Sequence, residues 1–125
     1  MALTNLTKGT VVDSEGGSAT TNLAQGLAKA WANFTMVTST AIADSFNVGS
    51  LTDNGTGHAT VNFTNNMSNN DYSKTMSAGG AYYRHFADTV SHGTTNTTDF
   101  RHYVTDGSTA RDCDDNNDTV HGDLA

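Results

Sequence analysis

At 125 residues, 35% hydrophobic and 15% charged, the chain holds material for one domain and excludes a multidomain enzyme. Six Lys and Arg stand against thirteen Asp and Glu, giving a formal net charge of -7. The cations Lys8, Lys29, Lys74, Arg84, Arg101 and Arg111 are scattered, so neither a nucleic-acid face nor a polybasic membrane site is expected.

In chain order, residues 1–26 read as an extended arm or linker, a polar stretch in which Leu3, Leu6, Val11 and Val12 are the candidate attachment residues. From Leu27 to Val37 the pattern alternates as a strand does, with Ala28, Ala30, Ala32 and Phe34 on one face and Lys29, Trp31 and Asn33 on the other. A short helix competes there through Ala and Lys, weakened by Asn33, Phe34 and Thr35. Ser45 to Thr64 reads as a hairpin about Asp53-Asn54-Gly55-Thr56-Gly57, because Asn-Gly supplies the positive φ angles that tight turns demand. Its second arm places Ala59, Val61 and Phe63 on one face and His58, Thr60 and Asn62 on the other, and Gly49-Ser50 marks a bulge in the first arm.

Asn65 to Asp71 follows as a polar loop, Tyr72 to Ala78 as a strand, and Gly79 to Phe86 as a loop re-entering the sheet. Phe100 to Thr105 reads as a strand, Asp106-Gly107 as its turn, Ser108 to Cys113 as a return, and Thr119 to Leu124 as a final short strand. Short strands, turns rich in Asn, Asp and Gly, and no long helical pattern indicate an all-β fold. The expectation is a compact antiparallel β-sandwich or jelly-roll-like domain over residues 27–125, preceded by the arm.

Its core must be thin. Leu, Ile, Val and Phe together come to about 16%, under the roughly 20% at which a chain buries enough surface comfortably, while about one residue in six is Thr. Trp31, Phe34, Phe46, Val48, Val61, Phe63 and Tyr72 are therefore expected in the core or between subunits, with neighbouring copies completing the interior. The absence of proline leaves sheet edges without one of their usual blunting devices, which also favours pairing between copies. Cys113 is the single cysteine, so no disulfide forms within the chain, in keeping with a reducing cytoplasm. No secretory leader and no apolar run of bilayer length is visible.

One acidic run matches a known ligand spacing. Asp112, Asp114, Asn116 and Asp118 fall at alternate positions and Asp123 at the twelfth, the oxygen order of a calcium loop, although Asn117 replaces its glycine and no amphipathic helix flanks it. A solvated acidic loop between strands is the simpler reading, and no cofactor is expected beyond this weak calcium candidate. His58, His85, His92, His102 and His121 form no close metal-binding pair and read as separate surface or half-buried side chains. No Gly-x-Ser-x-Gly elbow or phosphate loop is present, and Glu15 is the sole glutamate, so catalysis is not expected. Trp31, Tyr72, Tyr82, Tyr83 and Tyr103 could line a sugar-binding surface with neighbouring Asn and Asp as hydrogen-bonding groups, Tyr82, Tyr83 and Tyr103 being the candidate glycan contacts, and core or inter-subunit packing is the alternative.

Four segments carry a resemblance: Ala28-Lys29-Ala30-Trp31-Ala32-Asn33-Phe34, Ala41-Ile42-Ala43-Asp44-Ser45-Phe46-Asn47-Val48, Leu51-Thr52-Asp53-Asn54-Gly55-Thr56-Gly57 and Thr60-Val61-Asn62-Phe63-Thr64. In that order they resemble a β-sandwich module of virion proteins of aquatic tailed bacteriophages, and His121-Gly122-Asp123-Leu124 is similar to its ending. The resemblance covers residues 28 to 76; the acidic C-terminal part departs from the apolar final strand of that family. It implies a structural protein on the virion surface, made in the host cytoplasm: a tail fibre, head fibre, appendage or capsid-decoration subunit. The implied partners are two further copies in a homotrimer, other virion proteins such as capsid, portal or tail components, and host-surface glycans. A free carbohydrate-binding module is the alternative.

Overall fold

The computed structural model describes residues 11–13, 20–80, 83–87 and 96–125. Strands dominate it: β1 (Val11–Asp13), β2 (Thr20–Asn22), β3 (Ala30–Thr35), β4 (Ala41–Phe46), β5 (Val48–Asp53), β6 (His58–Phe63), β7 (Ser73–Gly80), β8 (Tyr83–Ala87), β9 (Asp99–Asp106), β10 (Thr109–Ala110) and β11 (Asp115–His121). One short helix, α1 (Leu23–Gly26), interrupts them. The all-β expectation is met. β1 and β2 form a separate antiparallel pair, whereas the other strands make one nine-stranded sheet in the order β4-β3-β11-β7-β8-β9-β6-β5, with β10 paired to β9.

That sheet folds over on itself. β9 and β11 are separated by β7 and β8 in the strand order, yet His102 of β9 and Asp118 of β11 hydrogen-bond at 2.8 Å, and Phe34 of β3 meets the His102 ring edge-on with centroids 5.0 Å apart. β3, β11 and β7 therefore face β9 and β6, in the manner of two layers enclosing one interior. At the open side the first and last strands of the order, β4 and β5, follow each other in sequence through Asn47 alone, which adopts φ 56°. Asn tolerates this left-handed conformation better than other side chains. Its amide also ties the corner down, with Nδ2 donating to the Lys29 and Asn65 carbonyls and Oδ1 accepting from the Asn65 backbone N–H.

The interior follows the period of two along each strand. Ala30, Ala32 and Phe34 of β3, Ala59, Val61 and Phe63 of β6, and Phe100 and Val104 of β9 are buried, and the small alanines let the layers approach where Phe34 and Phe100 need room. Phe63 packs on Phe100 and Tyr72, with centroids 5.6 and 5.8 Å away. The Tyr72 hydroxyl lies 3.0 Å from the carbonyls of both Asn96 and Asp99. Burial and the Asp99 charge push Tyr72 up to about 12.

The hairpin expected around Asn54-Gly55 is present: β5 pairs with β6, a register shift falls between Val48 and Ser50, and Gly55 and Gly57 have φ of 114° and 68°. Gly57 is doubly constrained, since a Cβ there would lie 2.6 Å from the Val104 carbonyl oxygen and 2.7 Å from the Arg111 nitrogen. The turn at Gly107, φ 62°, returns the chain into β10 as expected.

Three local expectations are corrected. Of the stretch expected as a loop, residues 79–80 and 83–86 are strand: β7 runs through Gly80 and β8 starts at Tyr83, pairing Gly80 with Tyr83 and Ala78 with His85, and residues 81–82 lie outside the described residues. The glycines there continue the ladder instead of breaking it, since strand hydrogen bonds need only backbone. β4 is a strand in its own right before the hairpin. The final strand is Asp115–His121, beginning four residues before the expected Thr119. Of the residues expected in the core or between subunits, Phe34, Val48, Val61, Phe63 and Tyr72 are buried, and Trp31 and Phe46 stand on the outward side of their strands, 37% and 51% exposed.

Of the N-terminal residues read as an arm, Leu3 and Leu6 lie outside the described residues, and Val11 and Val12 lie in β1 opposite Asn22 and Thr21. Lys29 Nζ donates to the carbonyls of Ala24 and Leu27, and Gln25 donates to Asp123, fastening α1 to the end of the domain. Among the described residues no helix is long and apolar enough to cross a membrane.

Candidate functional site

β11 passes through the middle of its layer, between β3 and β7, and its alternation builds two polar groups of opposite kind. Asn116, Asp118 and Val120 point inward and are buried; Asp115, Asn117 and Thr119 point outward.

On the outward side, register fixes rows of side chains across four strands. Phe46, Trp31, Thr119 and Thr75 form one row, and Asp44, Asn33, Asn117 and Ser77 form the next. Trp31 and Phe46 are direct cross-strand partners, two large aromatic side chains both exposed on the outward face. Beside them, Asn33 Nδ2 donates to Asp115 Oδ1 at 2.9 Å and to Asn117 Oδ1 at 2.8 Å, and Asn117 Nδ2 donates to Asp115 Oδ1 at 2.9 Å. These three planar groups hold one another in fixed orientations next to the indole. Asp44 and Asp115 put negative charge on this face, and its outward strand residues include no Lys or Arg. Lys29 is turned back to backbone carbonyls and Lys74 belongs to the inward set of β7.

The inward side is closed. His102 is 0% exposed and Asp118 2% exposed, and their bond joins the two layers. Burial raises the Asp118 carboxyl above its ordinary range, opposed by the His102 bond and by the charge of Lys74. Lys74 is half-buried with Nζ 5.6 Å from the Phe100 ring centroid, and its ammonium is lowered by burial and propped up by Asp118. Asn116 donates through Nδ2 to the carbonyls of Phe34 and Cys113, pinning the end of β3. The His102–Asp118 bond crosses the interior and ties one layer to the other.

No match to this chain is found among protein families, curated proteins or solved structures. The sites must therefore be read from their own geometry.

The five calcium candidates are not gathered. Asp112 Oδ1 accepts from the Gly57 backbone N–H at 2.6 Å, Asp114 is exposed, Asn116 and Asp118 face the interior, and Asp123 accepts from Gln25. The alternate spacing that matches a calcium loop is the period of a strand, with Asn116 and Asp118 on one side of β11. Among the described residues no group of three or more His, Cys, Asp or Glu is placed to hold a metal ion. Cys113 is buried, and burial with the charges of Asp114 and Asp112 pushes its thiol up to about 11, well away from a reactive thiolate.

Of the candidate glycan rings, Tyr82 lies outside the described residues, Tyr83 is in β8 opposite Gly80, and Tyr103 is half-buried with its ring edge-on to His58, centroids 5.6 Å apart. The structure does not bring Tyr103 to the Trp31 face. The reading of the histidines as surface or half-buried is corrected for His102, whose place between Phe100 and Val104 on one strand face was the signal for burial. The juxtaposition of Trp31 with Phe46 was not legible, because it depends on β4 being a separate strand.

Proposed function

We propose that this chain is a structural subunit displayed on the surface of a bacteriophage virion, a fibre, appendage or capsid-decoration piece that works by contact and not by catalysis. The reading places three copies together, docks residues 1–26 on other virion proteins and turns the 27–125 domain outward toward the host surface. The observation that carries it is the exposure of Trp31 and Phe46, cross-strand partners on the outward sheet face, since two large aromatics left in water on one face are costly to leave uncovered and favour a contact surface. Both residues fall within the segments that resemble phage virion modules. Weak contacts at such a face become effective when many copies are displayed together.

Particle composition tests this. Virions assembled with the full chain should carry it at fixed stoichiometry, sedimentation of the free protein should give a trimer, and deletion of residues 1–26 should abolish incorporation. Normal incorporation of the truncated protein would sink the docking role of that segment. A free carbohydrate-binding module is the second reading, favoured by the Asn33, Asp115 and Asn117 ladder beside the indole. It predicts a monomer, absent from particles, that binds sugar by itself.

A further inference from the structure

The outward face of the β4-β3-β11-β7 layer is, we infer, a binding site for an uncharged polysaccharide, with Trp31 and Phe46 as its stacking floor and Asn33, Asp115 and Asn117 as its hydrogen-bonding rim. The inference rests on the contact reading of this face and names what it contacts.

Three features of the face select that chemistry. A pyranose presents an apolar face of axial C–H groups and an equator of hydroxyls, so it needs a flat ring beneath it and fixed planar polar groups beside it. Trp31 and Phe46 supply the ring surface, directly opposite each other in register. The ladder starts one row away, at Asn33 and Asn117. Successive same-face positions on a strand are about 6.6 Å apart, the scale of one sugar ring with its hydroxyls.

The ladder is also open to hydroxyl donors. A carboxylate has roughly four acceptor positions, and the Asn33 and Asn117 amides occupy two on Asp115. Because the three groups already orient one another, little side-chain freedom is lost when a ligand docks.

Charge narrows the ligand further. Asp44 and Asp115 on a face without Lys or Arg repel polyanions, which sets aside nucleic acid and sulfated or uronic-acid polymers. The same charges disfavour a second copy meeting this face symmetrically, since isologous pairing would bring the carboxylates of one copy toward those of the other.

Trp31 is the only tryptophan, so emission from the full-length chain reports this site alone. The protein is titrated with dextran, amylose, laminarin and agarose oligosaccharides, and with alginate and dextran sulfate as anionic controls. A saturable shift in emission is expected with at least one neutral polymer and with neither anionic one. In affinity electrophoresis against that polymer, Trp31→Ala should weaken retention about tenfold or more, as aromatic anchors of contact sites do. Trp31→Phe should keep part of the retention and Asn117→Ala should lose part, with circular dichroism and melting confirming the fold of each.

Silence with every neutral polymer, retention that survives Trp31→Ala, or preference for the anionic polymers would each overturn the inference. So would an emission shift that grows with protein concentration in the absence of polymer. That last result would assign the face to a second copy and leave the contact reading standing.

Discussion

The two sides of β11 are built from nearly the same amino acids and meet opposite fates. Asp115 and Asn117 share hydrogen bonds with Asn33 in water, whereas Asp118 and Asn116, one residue away, are sealed between the layers with His102 and the carbonyls of Phe34 and Cys113. The outer group can exchange its partners for solvent at little cost. The inner group cannot, because a buried polar atom without a partner forfeits its full hydration. Identical chemistry is therefore left open to solvent on one side of the strand and made a structural fastening on the other.

The largest effect that would sharpen this contrast is expected from His102→Ala. It leaves the Asp118 carboxyl buried without its bond and removes the ring that Phe34 packs against, so urea unfolding should show a loss of about 3–5 kcal/mol. A loss below 1 kcal/mol would mean the interior is wetter than its burial implies.

Alkaline titration comes next. Tyr72 keeps its proton in the folded state up to about 12, above its ordinary 10, so it contributes stability that is complete below pH 10 and is lost as the pH rises toward 12. Tyr72→Phe should remove that limb while costing about 1–3 kcal/mol near neutrality for the lost hydroxyl bonds.

Asp118 works in the same sense at the acid end. Its folded carboxyl is raised, so its contribution is fully present below the unfolded carboxylate value and is lost as the pH climbs through the folded one. Asp118→Asn should therefore shrink the change in urea midpoint between acidic and neutral pH; an unchanged slope would show that the carboxyl stays charged without penalty. Lys74 runs oppositely, its lowered ammonium giving stability that is present at high pH and lost as the pH falls through the folded value. The smallest effect belongs outside: Asn117→Ala should alter stability by no more than about 0.5 kcal/mol, as surface changes do. A cost comparable to that of His102→Ala would erase the distinction between the two sides.

Much of the sheet was readable where apolar residues alternate. Ala30, Ala32 and Phe34, and Ala59, Val61 and Phe63, announce their inward faces, and Asn54-Gly55 announces the hairpin, because burial and turn sterics act locally. β11 was not readable in the same way. Its inward positions are Asn116, Asp118 and Val120, and polar residues at core positions look like a solvated loop until the partner strand supplies His102. Trp31 was expected in the core or between subunits, and the alternation that turns Ala30, Ala32 and Phe34 inward leaves it on the outward face opposite Phe46 of β4.

The position of β11 also bears on the timing of synthesis. The strand that fills the gap between β3 and β7 is the last of the eleven described strands to leave the ribosome, and its partners in β3 lie more than eighty positions earlier. Until residues 115–121 emerge, β3 and β7 have no common neighbour and the amphipathic halves of the layer stay apart. The nascent chain must therefore wait, with its apolar edges open to chaperones or to neighbouring chains, and consolidate in one late step.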